Sequence, residues 1–422
     1  MHDANMRAVA LAAALLTLLP TMGSGQHTGH DMPASLAHSM WRADLGAGWS
    51  VTGMAQAFPI VTIGAPSGDE TPLRETTAYL TQSALMFDVM SAGERFVLRT
   101  TLNLEGLTQE DGETSYGAWG EGFIDRRHPH TLLHELMLSA NAWSVAGGAA
   151  SISAGRGFVA FGTEDPMGRP VVKYPTNHHL SQILERWNVT GAFLRAGWGV
   201  EASVFGGNEP EDAWDVSNLA PFGNSIAARV SKRWGAQAEW EASASWASIT
   251  EEHGDDETVT RLANASLRYA SASTYAMVEA ARSAVEHDAS YFSVLGEARM
   301  ERGRHAPYAR LEYATRPEWQ RLGEEGDDFF RYDHDDEPSG STRWFIATAG
   351  WGFRATPGLF SVRPFAEVAY HHVERERVID PATLFARSDL WSLTFGARLF
   401  LGGPMRMGTY GILDPMTMGV AR

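Results

Sequence analysis

The sequence predicts an all-β fold, a transmembrane antiparallel β-barrel of about sixteen strands with long outer loops and short periplasmic turns. Three observations carry that expectation. Apolar and polar residues alternate along most of the chain, short and long connections take turns between the alternating stretches, and an export signal precedes them all.

The leader comes first. Arg7 precedes an apolar run from Ala8 to Leu19, followed by Pro20 and the small residues Gly23, Ser24 and Gly25, so residues 1–25 read as a secretory signal peptide cut near Gln26. His2 and Asp3 are unusual in a positively charged n-region, which makes Met6 an alternative start. The run is too short to cross a bilayer as a helix and no later segment is long and apolar enough, so a membrane role requires a barrel. The chain contains no cysteine, which excludes disulfides, thiolate metal sites and a lipid anchor on an N-terminal cysteine. A formal net charge of −17 argues against nucleic acid as a partner and points to a surface or lumen that attracts cations.

Residues 26–47 have no apolar periodicity and read as a mobile periplasmic segment. Strands are expected over 48–58, 79–91, 94–105, 132–144, 147–157, 185–195, 197–206, 224–234, 236–249, 258–270, 273–283, 289–302, 305–316, 341–354, 359–375 and 388–401, placing the barrel at 48–402. The ninth sets Gln237, Glu239, Glu241, Ser243 and Ser245 against Ala238, Trp240, Ala242, Ala244 and Trp246. The last sets Trp391, Leu393, Phe395, Ala397, Leu399 and Leu401 against Ser392, Thr394, Gly396 and Arg398. A soluble sandwich also alternates, but here the link after every second strand is only a few residues long, while most others are much longer. That is the barrel pattern, and an even strand number returns both termini to the periplasm. Closure also pairs every backbone N–H and C=O, as lipid demands. Trp198 and Trp234 flank two short turns on the outward face and read as part of an aromatic girdle. Residues 403–422 form a Met-rich periplasmic tail. The expected setting is the outer membrane of a Gram-negative-type bacterium, with its lipid as the bulk partner.

Polar chemistry concentrates in FIDRRHPHTLLHELML, residues 123–138. Pro129 fixes its own φ and biases His128 toward an extended backbone, so Asp125, Arg126, His128 and His130 stand at a stiff entry to a strand. In that strand Glu135, Met137, Ser139 and Asn141 oppose Leu136, Leu138, Ala140 and Ala142, and the polar side is expected to face a lumen. The loop over 158–184 adds His178 and His179. If both loops fold inward, His128, His130, His178 and His179 converge with Glu135 and Glu185 at a pore mouth or plug, where imidazole and carboxylate suit zinc or copper(II). The plainer alternative is that these histidines lock a plug through hydrogen bonds to carbonyls and carboxylates.

A second candidate metal set is His27, His30, Met32, His38 and Met40, with Met405, Met407, Met416 and Met418 at the other end. Thioether selects copper(I) or silver, and imidazole extends the range to copper(II). No cofactor is required; copper or another transition metal enters as a ligand or cargo. Arg229, Arg233, Arg268, Arg299, Arg310, Arg363 and Arg398 share polar faces with Glu239, Glu241, Glu279, Glu297, Glu312 and Glu367. Such rows either shape the field of a pore or pair with one another and close it. The acidic runs 251–257 and 324–337 read as solvated outer loops, since their spacing matches no defined calcium loop. Ser139 follows His134 by five residues and faces the other way by alternation, so no nucleophile–base dyad follows and no enzyme is expected.

The DRRHPH run before Glu135 resembles the Asp-Arg-x-His-Pro-His motif of a family of uncharacterised bacterial outer-membrane proteins. YPTNHHLSQ, with His178 and His179, resembles that family's Thr-His-His block. FGGNEPEDAWDV, with Glu209, Pro210, Asp212, Trp214 and Asp215, resembles its Gly-Arg-Glu-Pro-Asp stretch followed by Trp-Asp, with Asn208 in place of the arginine. The likeness runs over residues 120–218. Members of the family often carry a Met/His-rich mature N-terminus and are associated with copper and heavy-metal resistance, so the resemblance implies a metal-related outer-membrane role. The expectation is a porin-like channel for small polar solutes or metal ions with a copper link. The alternative is a closed structural or surface-binding barrel without transport.

Overall fold

The computed structural model describes residues 41–64, 76–108, 131–163, 168–176, 178–210, 214–216, 221–253, 256–285, 290–318, 321–322, 331–332, 340–355, 359–377, 387–402 and 407–414. Its strands are β1 (Trp41–Gly46), β2 (Trp49–Gly64), β3 (Thr76–Met90), β4 (Phe96–Asn103), β5 (Leu133–Val145), β6 (Gly148–Gly157), β7 (Arg186–Arg195), β8 (Trp198–Gly206), β9 (Phe222–Trp234) and β10 (Trp240–His253). There follow β11 (Asp256–Ala270), β12 (Thr274–Val285), β13 (Ser290–Met300), β14 (His305–Glu318), β15 (Arg321–Leu322), β16 (Arg331–Tyr332), β17 (Gly340–Phe353), β18 (Phe360–Arg377) and β19 (Asp389–Leu401). Two one-turn helices, α1 (Glu105–Thr108) and α2 (His178–Ser181), lie between strands.

Each of β2 to β14 pairs antiparallel with its neighbour, β14 pairs with β17, and β17 to β19 continue the sheet. The sheet closes where β19 meets β2, from Ser392↔Gly64 to Leu401↔Ala55. The wall is therefore a closed barrel of sixteen antiparallel strands. The edge of β2 beyond Leu401 is not left bare, because β1 folds back on it from Trp41↔Gly53 to Gly46↔Trp49. An uncovered strand edge is a template for unwanted pairing, and β1 removes it. Residues 41–46, expected as part of the mobile segment, are thus a strand, and three alternations are too few to announce it.

Three of the tight turns at this end use one device. Ala47-Gly48, Ala146-Gly147 and Ala196-Gly197 all hold both residues at positive φ, as two-residue hairpin turns of the matching twist require. Alanine tolerates this poorly, so the glycine beside it carries the turn.

The outer surface is an apolar belt. Leu138, Val278, Leu311 and Trp391 are more than half exposed there, and Trp240 and Leu393 lie on the outside rather than between two sheets. Trp234 stacks on Trp240 at 6.1 Å near the short turns, with Trp198 on the adjacent strand opposite Lys232, forming part of the expected girdle. Two expected details differ. Ala238 has positive φ and Glu239 turns back to accept the Gln237 N–H at 2.8 Å, so β10 begins at Trp240 and Glu239 lies in the turn. The described part of the acidic run 251–257 is strand rather than loop: β10 and β11 stay paired to His253↔Asp256, lengthening that hairpin. Of the run 324–337, only 331–332 are described, as β16.

Candidate functional site

The segment between β6 and β7, residues 158–185, turns into the lumen, and its described side chains from Phe158 to Val172 are nearly all buried. Inserted backbone cannot join the sheet ladder, so its polar groups need partners from the wall. The wall supplies them on strands all round the barrel. Ala160 N–H donates to Ser203 on β8 at 2.9 Å and Gly162 N–H to Ser245 on β10 at 2.8 Å. Val172 N–H donates to Glu367 on β18 at 2.8 Å and Thr176 N–H to Glu312 on β14 at 2.7 Å. In the other direction Gln82 on β3 and Arg310 on β14 donate to the carbonyls of Val172 and Lys173, both at 2.7 Å, and Arg398 on β19 donates to those of Arg169 and Pro170.

Apolar contacts reinforce the fit. Val159, Phe161 and Ile183 pack with Phe205, Ala227, Ala247, Ile249 and Leu262, while Val172 packs with Phe58, Ile60, Phe365 and Phe400. Burying each such side chain stabilises by about 1.5–3 kcal/mol. The inner wall is therefore polar with apolar patches, and two of those patches lie where the segment presses on them.

A second segment, 407–414, enters from the short-turn end. Residues 403–422 were expected beyond the barrel; the described part climbs its inner wall. Gly408 O accepts from Arg229 at 3.0 Å, and the Asp414 carboxylate reaches Arg99 at 2.5 Å, where Asp88 also binds at 2.8 Å. Tyr410 is the junction: its hydroxyl donates to Glu135 at 2.7 Å and accepts the Phe158 N–H at 2.9 Å, tying tail, inserted loop and wall together. A Cβ on Gly157 would meet that hydroxyl at 2.2 Å, so the close approach needs glycine there. Burial, and then the Glu135 charge beside it, push the Tyr410 phenol well above its ordinary value.

Of the expected site residues, Asp125, Arg126, His128 and His130, and His27, His30, Met32, His38 and Met40, lie outside the described residues. His178 and His179 open α2, whose backbone lies against β11, β12 and β13, whereas Glu135 is far round the wall on β5. Glu135 is fully buried and accepts from Thr101 at 2.5 Å besides Tyr410. Glu185 is also buried, accepting the Thr131 N–H at 3.0 Å and contacting His134 Nδ1 at 2.5 Å. The structure thus brings Glu185 to the base of the loop over 106–131 but sets α2 and Glu135 on different parts of the wall. A bulge between Thr101 and Leu102 leaves His134 opposite no residue, and both His134 and Glu135 are buried, a departure from simple alternation. Among the described residues no three His, Asp or Glu side chains are grouped to hold a metal ion.

The charged rows divide into two kinds. Arg229 pairs with Glu201 at 2.6 Å, Arg310 with Glu297 at 2.8 Å, and Arg233 and Arg268 share Glu241. Glu312 and Glu367 hold the inserted segment, as does Glu279 through the Thr163 hydroxyl at 2.6 Å. These groups pair with one another or hold the inserted segment. Near the short turns, by contrast, Arg299, Arg354 and Arg363 reach Glu301, and with Arg304 they line a cavity of about 50 Å³. A second cavity of about 40 Å³ lies between Arg229, Glu241 and the tail. Sequence reading missed Arg99, Arg169, Lys173, Tyr410 and Asp414, although the apolar character of FVAFG and GIL, odd for solvated loops, was a usable signal.

The fold and this interior define the class: a membrane-spanning sixteen-stranded barrel whose lumen is occupied by an inserted loop and a returning tail. No protein-family model matches the chain, and no curated protein matches it. Several solved structures are similar. OmpT of Vibrio cholerae, in vitro folded and in trimer form, matches at 10% identity with a TM-score of 0.47, over 84% of this chain and 99% of that one. Salmonella typhi OmpF in complex with daunomycin matches at 11% with a TM-score of 0.48, over 83% and 98%. Pseudomonas putida OprB matches at 9% with a TM-score of 0.47, over 83% and 94%.

Proposed function

We propose that the protein is a porin-like channel of the outer membrane, passing small polar solutes or metal ions through a lumen narrowed by 158–185 and 407–414, with its short turns and termini on the periplasmic side. The observation that carries this reading is the charged inner wall, water-facing in kind, with Arg299 and Arg363 still 31% and 28% exposed at one mouth. No catalytic step belongs to it. Purified protein in planar bilayers is expected to give discrete conductance steps; silence at all voltages and salt concentrations overturns the proposal.

A second reading, a closed structural or surface-binding barrel, is favoured by the tight packing of both insertions, beside which the cavities measure only about 50 and 40 Å³. The same bilayer experiment decides between the two. Within the first reading we propose a copper-linked role, supported by the thioether and imidazole pairs His27, His30, Met32, His38 and Met40 and by the resemblance of the DRRHPH block. Titration with copper(I) is expected to lose most of its binding when 26–40 is deleted. Substituting His128, His130, His178 and His179 by alanine tests the loop site separately with copper(II).

A further inference from the structure

We infer that the short-turn mouth of the barrel carries a binding site for a small soluble oxyanion of the phosphate or sulfate class. Arg299 from β13, Arg304 from the turn after it, Arg354 at the end of β17, Arg363 from β18 and Arg398 from β19 line one cavity, and among the described residues Glu301 is the single carboxylate lining it. Glu301 is shared among three of them, at 2.7 Å from Arg354, 3.7 Å from Arg299 and 3.9 Å from Arg363. Arg398 spends its terminal nitrogens on the carbonyls of the inserted loop.

That leaves a surplus of guanidinium donors in a chain whose net charge is −17, whereas Arg229 and Arg310 elsewhere in the lumen each meet a carboxylate within 2.8 Å. Like charges gathered in a cleft repel one another, and a tetrahedral oxyanion relieves the repulsion while accepting several forked N–H bonds at once. The heads are held in place rather than loose: Arg363 lies 5.3 Å from the Phe400 ring, and Arg398 lies 5.3 and 5.7 Å from Phe58 and Phe365. A water needs roughly 10–15 Å³ of such space. At about 50 Å³ the cavity has room for a four-oxygen anion.

The ligand comes from water rather than from the bilayer. On the same strands Tyr308 and Gly352 face the cavity, while Pro307 and Trp351 face outward among the lipid-exposed side chains. The site goes beyond the proposed function, because it is complete whether or not the lumen conducts.

The test is calorimetric titration of the full-length protein, in lipid-free detergent at low salt, with inorganic phosphate. Saturable binding is expected for the parent. Arg299→Gln combined with Arg363→Gln is expected to weaken it at least tenfold, and Glu301→Gln, which removes the competing carboxylate, to tighten it several-fold. Folding of each variant is read from the heat-dependent shift of barrel migration on a gel. The opposite signs keep a folding defect from imitating the result. No saturable binding by the parent, binding only when phospholipid is added, or a Glu301→Gln protein that binds no tighter overturns the inference.

Discussion

The loop over 158–185 and the tail over 407–414 reach the lumen from opposite ends and are held there differently. The loop is joined to the wall at both ends, by β6 and β7, and its anchors are spread from β3 round to β19. The tail joins through β19, and its anchors fall mainly on β4, β5, β6 and β9, with its ion pair at Arg99. Many moderate contacts on separate strands move together only if the barrel itself opens. A few contacts along one arc of the wall can be released locally. The tail is therefore the part of the interior with the lower cost of displacement.

Asp414→Ala is the strongest way to break the contrast. Losing one partner of a buried ion pair costs about 3–5 kcal/mol, of which Asp88 on the same arginine recovers part. With ~2 kcal/mol remaining, hydrogen exchange over 407–414 is expected to quicken about thirty-fold while that of 158–176 is unchanged. Equal acceleration in both segments would show them to be one cooperative unit. If the conducting reading holds, the same variant raises the single-channel conductance.

Tyr410 makes the tail's hold depend on pH. Its phenol is the donor to Glu135, and its value is raised in the folded protein by burial first and the neighbouring carboxylate second. A group raised above its unfolded value, about 10 for tyrosine, contributes in full below that pH and loses its contribution as pH rises beyond it. Tail protection is therefore expected to be flat through neutral pH and to fall above about pH 10. Tyr410→Phe should lower protection at pH 8 and abolish that alkaline fall. A fall of unchanged size in Tyr410→Phe assigns it to another group.

Most of the wall was legible in the sequence because a strand exposed to lipid on one side and to the interior on the other must alternate. The expected first strand ended at 58, yet β2 runs on to Gly64. There Phe58 and Ile60 point inward to meet Val172 while Val61 and Ile63 point outward, so both faces are apolar and the alternation vanishes. Register also shifts between Gln56 and Phe58. That Glu135 faces the interior was legible from its place on a polar face. Its partner was not: Tyr410 is 275 residues away, and nothing local in either stretch names the other. The same holds for Arg99 and Asp414, whose pairing depends on a tail re-entering a barrel, an event of topology rather than of pattern.

The smallest expected effect compares two wall serines, one bonded to each insertion. Ser392 on β19 accepts from the Lys173 ammonium of the loop at 2.8 Å, and Ser151 on β6 accepts from the Ile412 N–H of the tail at 3.3 Å. Both are wall serines and both can become alanine without filling or emptying much space. A hydrogen bond to a charged group is worth about 1.5–3 kcal/mol and a neutral one about 0.5–1.5, less when long. Ser392→Ala should therefore lower the unfolding free energy measurably, by the order of 1 kcal/mol after Lys173 finds other acceptors, whereas Ser151→Ala should stay within about 0.5 kcal/mol of the parent. The reverse order would mean that the tail, not the loop, carries more of the interior's stability, and that the ranking drawn from the spread of anchors is mistaken.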